Sequence, residues 1–218
     1  MSSLAVSSTG GGGEGQTVSA SGSKPYLRRK KSSLGETKVA VLGMSGVGKS
    51  ALSVRFLTKR FIGEYDQSAE NKYKCTTNIE GESIAFELLD TRSTDNDHGA
   101  REDVLRWADG FMLVYSVTSR QSFQILTELR RKVEETKRAA HVPVIVVGNK
   151  NDLAHYREVT QDEGARLAVE LGCTFVEVSA SEDVARVMEA FHTLCREIIE
   201  FKRRSRTFLD RVFGLKKS

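Results

Sequence analysis

Residues 39–50 read VAVLGMSGVGKS: an apolar run, a loop with glycine at 43, 46 and 48, and a lysine–serine pair that opens an amphipathic stretch. Short runs of β-branched residues make strands buried on both faces, and the periodicity from Lys49 to about residue 60 is helical. Between them lies the spacing G-x-x-x-x-G-K-S, Gly43 to Ser50. Backbone N–H groups of such a loop wrap phosphate, and the N-terminus of the following helix adds partial positive charge. Gly43, Met44, Ser45, Gly46, Val47, Gly48, Lys49, Ser50 and Ala51 would form the cradle. The Lys49 ammonium would reach β- and γ-phosphates, and the Ser50 hydroxyl would ligate Mg²⁺.

Outward from this turn, apolar runs at 73–79, 83–89, 111–116, 142–147 and 174–178 alternate with helical periodicity near 98–108, 120–137, 160–171 and 185–202. The pattern predicts an α/β fold: a six-stranded, mostly parallel sheet with about five helices on both faces. NIEGES, residues 78–83, supplies the one hairpin-like turn, so one edge strand should be antiparallel. The 218 residues, 39% of them hydrophobic, suit one domain with a sizeable core, over 37–200.

The flanks have another character. Residues 1–36 are a Ser/Gly-rich arm ending in a basic cluster, too poor in large apolar groups to order. With a total charge of +4, an arm of +3 and a tail (201–218) of +6, the domain itself carries −5. The basic pI thus belongs to the tails, and nucleic acid is not an expected partner. Cys75, Cys173 and Cys195 lack disulfide or metal spacing, and Cys195 falls on an apolar helical stripe as a core thiol. No apolar run reaches membrane-spanning length and the N-terminus lacks the apolar block of a signal peptide, so a cytoplasmic protein is expected.

The tail has no lipidation motif, since its last four residues hold no cysteine and Ser2 follows Met1. Phe208, Leu209, Val212 and Phe213 recur among arginines and lysines there. The segment could lie on the anionic inner membrane surface, fill the groove of a calmodulin-like partner, stay exposed, or pack on its own domain.

Two more elements complete the nucleotide constellation. Asp90 closes the strand IAFELLD, where a carboxylate would meet Mg²⁺. VIVVGNKNDL, residues 144–153, delivers Asn149, Lys150 and Asp152 as N-K-x-D. Guanine presents N1–H and N2–H₂ on one edge, and one carboxylate, Asp152, can accept from both. The Lys150 stem can lie along the base plane, and Asn149 can tie the base loop to the phosphate loop.

With these motifs and VSAS at 178–181, residues 38–200 resemble a Ras-like small GTPase. The resemblance implies GTP/GDP and Mg²⁺ as ligands, a monomer, and effector, exchange-factor and activating-protein contacts through 62–73 and 91–104. It assigns Phe61 and Tyr65 of RFLTKRFIGEYD to the nucleotide, although Phe61 could instead be a core aromatic. It gives the Ser179 and Ala180 backbone the guanine O6. Ser68 stands at the threonine that meets Mg²⁺ and γ-phosphate, beside an altered Ala69. Ser181 replaces the base loop's lysine, leaving its supporting side chain absent.

In DTRST, residues 90–94, Ser93 occupies the place of the family's glycine and Thr94 that of the water-orienting glutamine. Lys49 and Thr94 are thus the candidate catalytic residues. Ser45 stands where most relatives have a glycine and would crowd an incoming arginine finger. Slow hydrolysis follows, either in a cycling switch or in a permanently GTP-loaded binding module. The segment 93–103 could equally be a polar loop with Asp95 or Asp97 as a helix cap.

Overall fold

The computed structural model describes residues 36–61, 70–93, 98–138 and 141–212. In strand β1 (Thr37–Leu42), Val39 and Val41 enter one apolar cluster while Ala40 and Leu42 enter another, all four without solvent exposure. A strand buried on both faces belongs inside a sheet covered on both sides. The same division holds in β4 (Gly110–Ser116), where Met112 and Val114 oppose Phe111, Leu113 and Tyr115. It holds again in β5 (Val144–Asn149), where Ile145 and Val147 oppose Val144 and Val146.

With β2 (Asn71–Ile79), β3 (Glu82–Asp90) and β6 (Thr174–Glu177), the six strands run in the order β2-β3-β1-β4-β5-β6. Only the β2–β3 pair is antiparallel, in agreement with the sequence reading. Its turn is two residues, Glu80 and Gly81, both at positive φ (52° and 84°). That is the backbone a tight hairpin needs to match strand twist. The Asn78 side-chain oxygen accepts from the Gly81 N–H at 3.0 Å and closes it.

One sheet face is covered by α1 (Lys49–Thr58) and α6 (Val184–Val212). Phe191 of α6 stacks on Phe56 of α1 with centroids 4.3 Å apart, and both lean on Phe86 of β3. Cys195 lies fully buried in this cluster, where desolvation raises its thiol pKa, as expected of a core thiol. The other face takes α2 (Glu102–Trp107), α3 (Arg120–Gln124), α4 (Leu126–Lys137) and α5 (Gln161–Glu170). A capping box between Thr160 and Glu163 starts α5.

Three boundaries differ from the periodicity. The helix expected near 98–108 spans only Glu102–Trp107, and its N-cap is Arg101, not Asp95 or Asp97. The helix expected over 120–137 is two, joined at Ile125, whose backbone stays right-handed. Counted as one segment, it restores the five expected helices. The last helix continues past 202 to Val212, because its arginine-rich turns keep helical propensity after the apolar stripe ends. Lys202 fastens it by bonds to the Asp109 carboxylate (2.6 Å) and the Glu36 carbonyl (2.9 Å), and Arg203 reaches Glu82 at 3.3 Å.

Phe191 joins both covering helices to β3. Replacing it with alanine should therefore lower unfolding free energy by about 3–5 kcal/mol in chemical denaturation. A loss below about 1 kcal/mol would contradict this packing.

Candidate functional site

Four connections leave the carboxyl ends of β1, β3, β5 and β6 and, with Phe61, enclose a cleft of about 410 Å³. Ligands of open α/β sheets bind outside the strand carboxyl ends. The phosphate-loop turn holds Gly43, Gly46 and Gly48 at φ 146°, 79° and 98°. Two of them are also sterically obligatory. A Cβ on Gly43 would lie 2.2 Å from the Val114 carbonyl oxygen, and one on Gly48 2.3 Å from the Asn149 amide nitrogen. Gly46 has open space on that side.

The approach at Gly48 exists because Asn149 must come that near. Its amide N–H donates to the Val47 carbonyl at 2.8 Å, and its amide oxygen accepts from the Ala180 N–H at 3.2 Å. One fully buried side chain thereby joins the phosphate loop, the β5 loop and the β6 loop. Lys150 adds a second tie. Its ammonium donates to the Gly46 carbonyl at 2.7 Å, so its stem crosses from base loop to phosphate loop. The residue itself sits at φ 66°.

Helix α1 begins at Lys49 with no side-chain cap and no acidic residue in its first turn. An uncapped helix start is a ready anion site. The Lys49 ammonium, nearly buried, donates to the Gly43 and Met44 carbonyls at 2.9 and 3.0 Å and to the Ser93 hydroxyl. Ser45, Gly46, Gly48, Lys49, Ser50 and Ala51 face the cleft. Val47 turns its side chain into the core and Met44 packs against that core. Those two and Gly43 do not line the cleft, and their carbonyls accept from Asn149 and Lys49.

Beside this, Asp90 is almost wholly buried, and neither carboxylate oxygen has a hydrogen-bond partner. Desolvation raises its pKa; the Ser50 hydroxyl and Lys49 ammonium pull it down, though neither closes a bond of ordinary geometry, and Glu70 adds to the rise. A buried, orphaned carboxylate next to a serine hydroxyl suits a hard divalent cation. Among the described residues no group of three His, Cys, Asp or Glu gathers that could hold a metal alone. Such an ion would draw its remaining oxygens from phosphate and water, as Mg²⁺ prefers.

At the other end, Asp152 accepts from the Ser181 hydroxyl at 3.2 Å, and Ser181 pairs with Ser179 at 2.8 Å. The Glu182 N–H donates to Ser179 and orders this relay. The lysine expected from the family pattern is absent at 181, and the serine that replaces it holds the Asp152 carboxylate through a hydroxyl. Arg55 of α1 braces the loop by donating to the Ser181 carbonyl at 3.2 Å. Phe61, 45% exposed, forms a cleft wall and not part of the core.

Thr91, Ser93, Leu153 and Ser181 also line the cleft, and the motif reading gave none of them a wall position. Only Ser93 and Ser181 were singled out, as departures from the family pattern. Tyr65, Ser68 and Thr94 lie outside the described residues, as do Asp95 and Asp97.

The Ras family model matches residues 38–200. The human Ras-related and estrogen-regulated growth inhibitor is 47% identical over 163 residues, 75% of this chain and 81% of its own length. Ras-like protein family member 11B is 44% identical in mouse over 167 residues, 74% of this chain and 68% of its own, and 44% identical in Danio rerio over 173, 76% and 70%. With the phosphate loop, the N-K-x-D loop and the sheet order on the same span, the chain belongs to the Ras family.

Proposed function

We propose that this Ras-family protein is a guanine-nucleotide switch that binds GTP and GDP with Mg²⁺ and hydrolyses GTP slowly. The observation that supports the reading is the Asn149 bridge, which joins the loops that bring the Asp152 carboxylate and the Lys49 ammonium to one cleft.

In this reading Asp152 accepts from guanine N1–H and N2–H₂, kept in position by Ser181, while the Lys150 stem and Phe61 flank the ring. The Ala180 N–H is already engaged by Asn149, so the loop reads guanine O6 through other backbone groups or by sharing that donor. Ser50 and Asp90, with Ser68 by its sequence position, would hold Mg²⁺, which when bound would supply Lewis-acid polarisation of phosphate oxygens. Lys49 stabilises charge on the phosphate chain.

Slow turnover follows from side-chain reach. A glutamine can orient water and touch transition-state oxygens together; Thr94, from the same backbone position, is too short. Losing a factor of about 10² in rate costs about 2.7 kcal/mol of barrier without loss of ground-state affinity. Residues 62–73 and 91–104 would carry effectors, an exchange factor and an activating protein. The basic end of α6 would make a cytoplasmic, peripheral contact with an anionic membrane or a calmodulin-like groove.

Two measurements test this. Asp152→Ala should weaken guanine-nucleotide binding about 10²-fold, the size of two charge-assisted hydrogen bonds, and abolish preference over adenine nucleotides. Wild-type protein that shows no such preference in the presence of Mg²⁺ removes the reading. In single-turnover hydrolysis, Thr94→Gln should raise the rate at least about tenfold. An unchanged rate would show that another group positions the water.

A further inference from the structure

The Ser93 contact is not used by the switch described above. Its hydroxyl accepts from the Lys49 ammonium and donates to the Gly43 carbonyl at 2.5 Å. The same ammonium donates to the Gly43 and Met44 carbonyls. A lysine has three N–H donors, and among the described residues Gly43, Met44 and Ser93 offer acceptors to this one.

These acceptors are not equivalent. Two are main-chain atoms of a loop held in place by Asn149 and by steric closure at Gly43. The third is a side chain on the connection leaving β3, and a rotation about one bond removes it. The sheet order β2-β3-β1-β4-β5-β6 also sets its location. Ser93 follows β3, on one side of the phosphate loop, whereas Asp152 and Ser181 follow β5 and β6 on the other. The serine hydroxyl therefore stands at the end of the cleft away from the Asp152 carboxylate.

We propose that Ser93 sets the preference for phosphate-chain length. A guanosine diphosphate binds with the Lys49–Ser93–Gly43 contact intact, its β-phosphate taking the Lys49 donor of a loop carbonyl, whereas the triphosphate binds only after its terminal phosphate also displaces the hydroxyl from Lys49. The family's glycine at this position has no side chain to offer the lysine. The hydroxyl thus biases the resting protein toward the diphosphate state by an interaction inside the chain. This inference rests on the guanine-nucleotide reading.

The test is equilibrium competition on the full-length, nucleotide-stripped protein with Mg²⁺, using GDP and a non-hydrolysable GTP analogue against a fluorescent guanine nucleotide. Ser93→Ala should move the ratio of the two dissociation constants about tenfold toward the triphosphate, while Ser93→Thr, which keeps the hydroxyl, should retain the wild-type ratio. A Ser93→Ala ratio within about twofold of wild type overturns the proposal. So does a Ser93→Thr shift as large as that of alanine, which would make bulk and not the hydroxyl responsible. If all three proteins bind guanine nucleotides at one unchanged ratio, only the role of Ser93 falls. If none binds them, the guanine-nucleotide reading falls with it.

Discussion

One amide side chain sets the geometry of the cleft. Asn149 ends a fully buried strand and offers a donor and an acceptor in opposite directions, to Val47 and Ala180. Buried polar groups must be satisfied, and here each bond satisfies two of them at once. The distances among phosphate loop, base loop and β6 loop are therefore set by the size of a carboxamide. The demand propagates to Gly48, where any Cβ would strike the same amide. A hydrophobic residue at 149 would leave a main-chain carbonyl and an N–H orphaned in the core.

Further supports are charged groups held in low dielectric. Arg55 and Arg130 are both about nine-tenths buried or more and donate to backbone carbonyls of neighbouring loops, Ser181 and Leu171. Glu177 is buried too and takes a two-pronged pair from Arg157, at 2.8 and 2.9 Å. Such pairs add little net stability after desolvation, but each has one geometry that satisfies it. The loops around the cleft are thus held in register by directional bonds, while the sheet beneath them is held by non-directional apolar packing.

What the sequence revealed divides along the same line. That the sheet is covered on both faces was readable because runs such as Val39 to Leu42 are apolar at every position, and the Glu80–Gly81 turn was readable by its composition. The phosphate loop and N-K-x-D were readable because their spacing is local. The Lys150 tie to Gly46 spans 104 residues and the Asp152–Ser181 bond 29, and no periodicity encodes such pairings. Ser181 was legible only as a missing lysine, since its bond to Asp152 depends on how near β5 and β6 bring their loops. Ser93 was legible only as a missing glycine, since its contacts with Lys49 and Gly43 depend on how near β1 and β3 bring their loops. The extent of α6 was missed because an apolar stripe marks where a helix is buried, not where it stops.

That helix has a mechanical meaning. Its 29 residues rise about 43 Å at 1.5 Å per residue, and the final nine, beyond Arg203, account for roughly 14 Å of it. A short free helix is marginal in water because nucleation is costly, but this one is nucleated in the core and needs only to propagate outward. The clasp of Lys202 on Asp109 and Glu36 works as the bearing of a strut. Whatever the chain's end attaches to would then constrain the tilt of the whole domain, and with it the direction in which the nucleotide cleft looks.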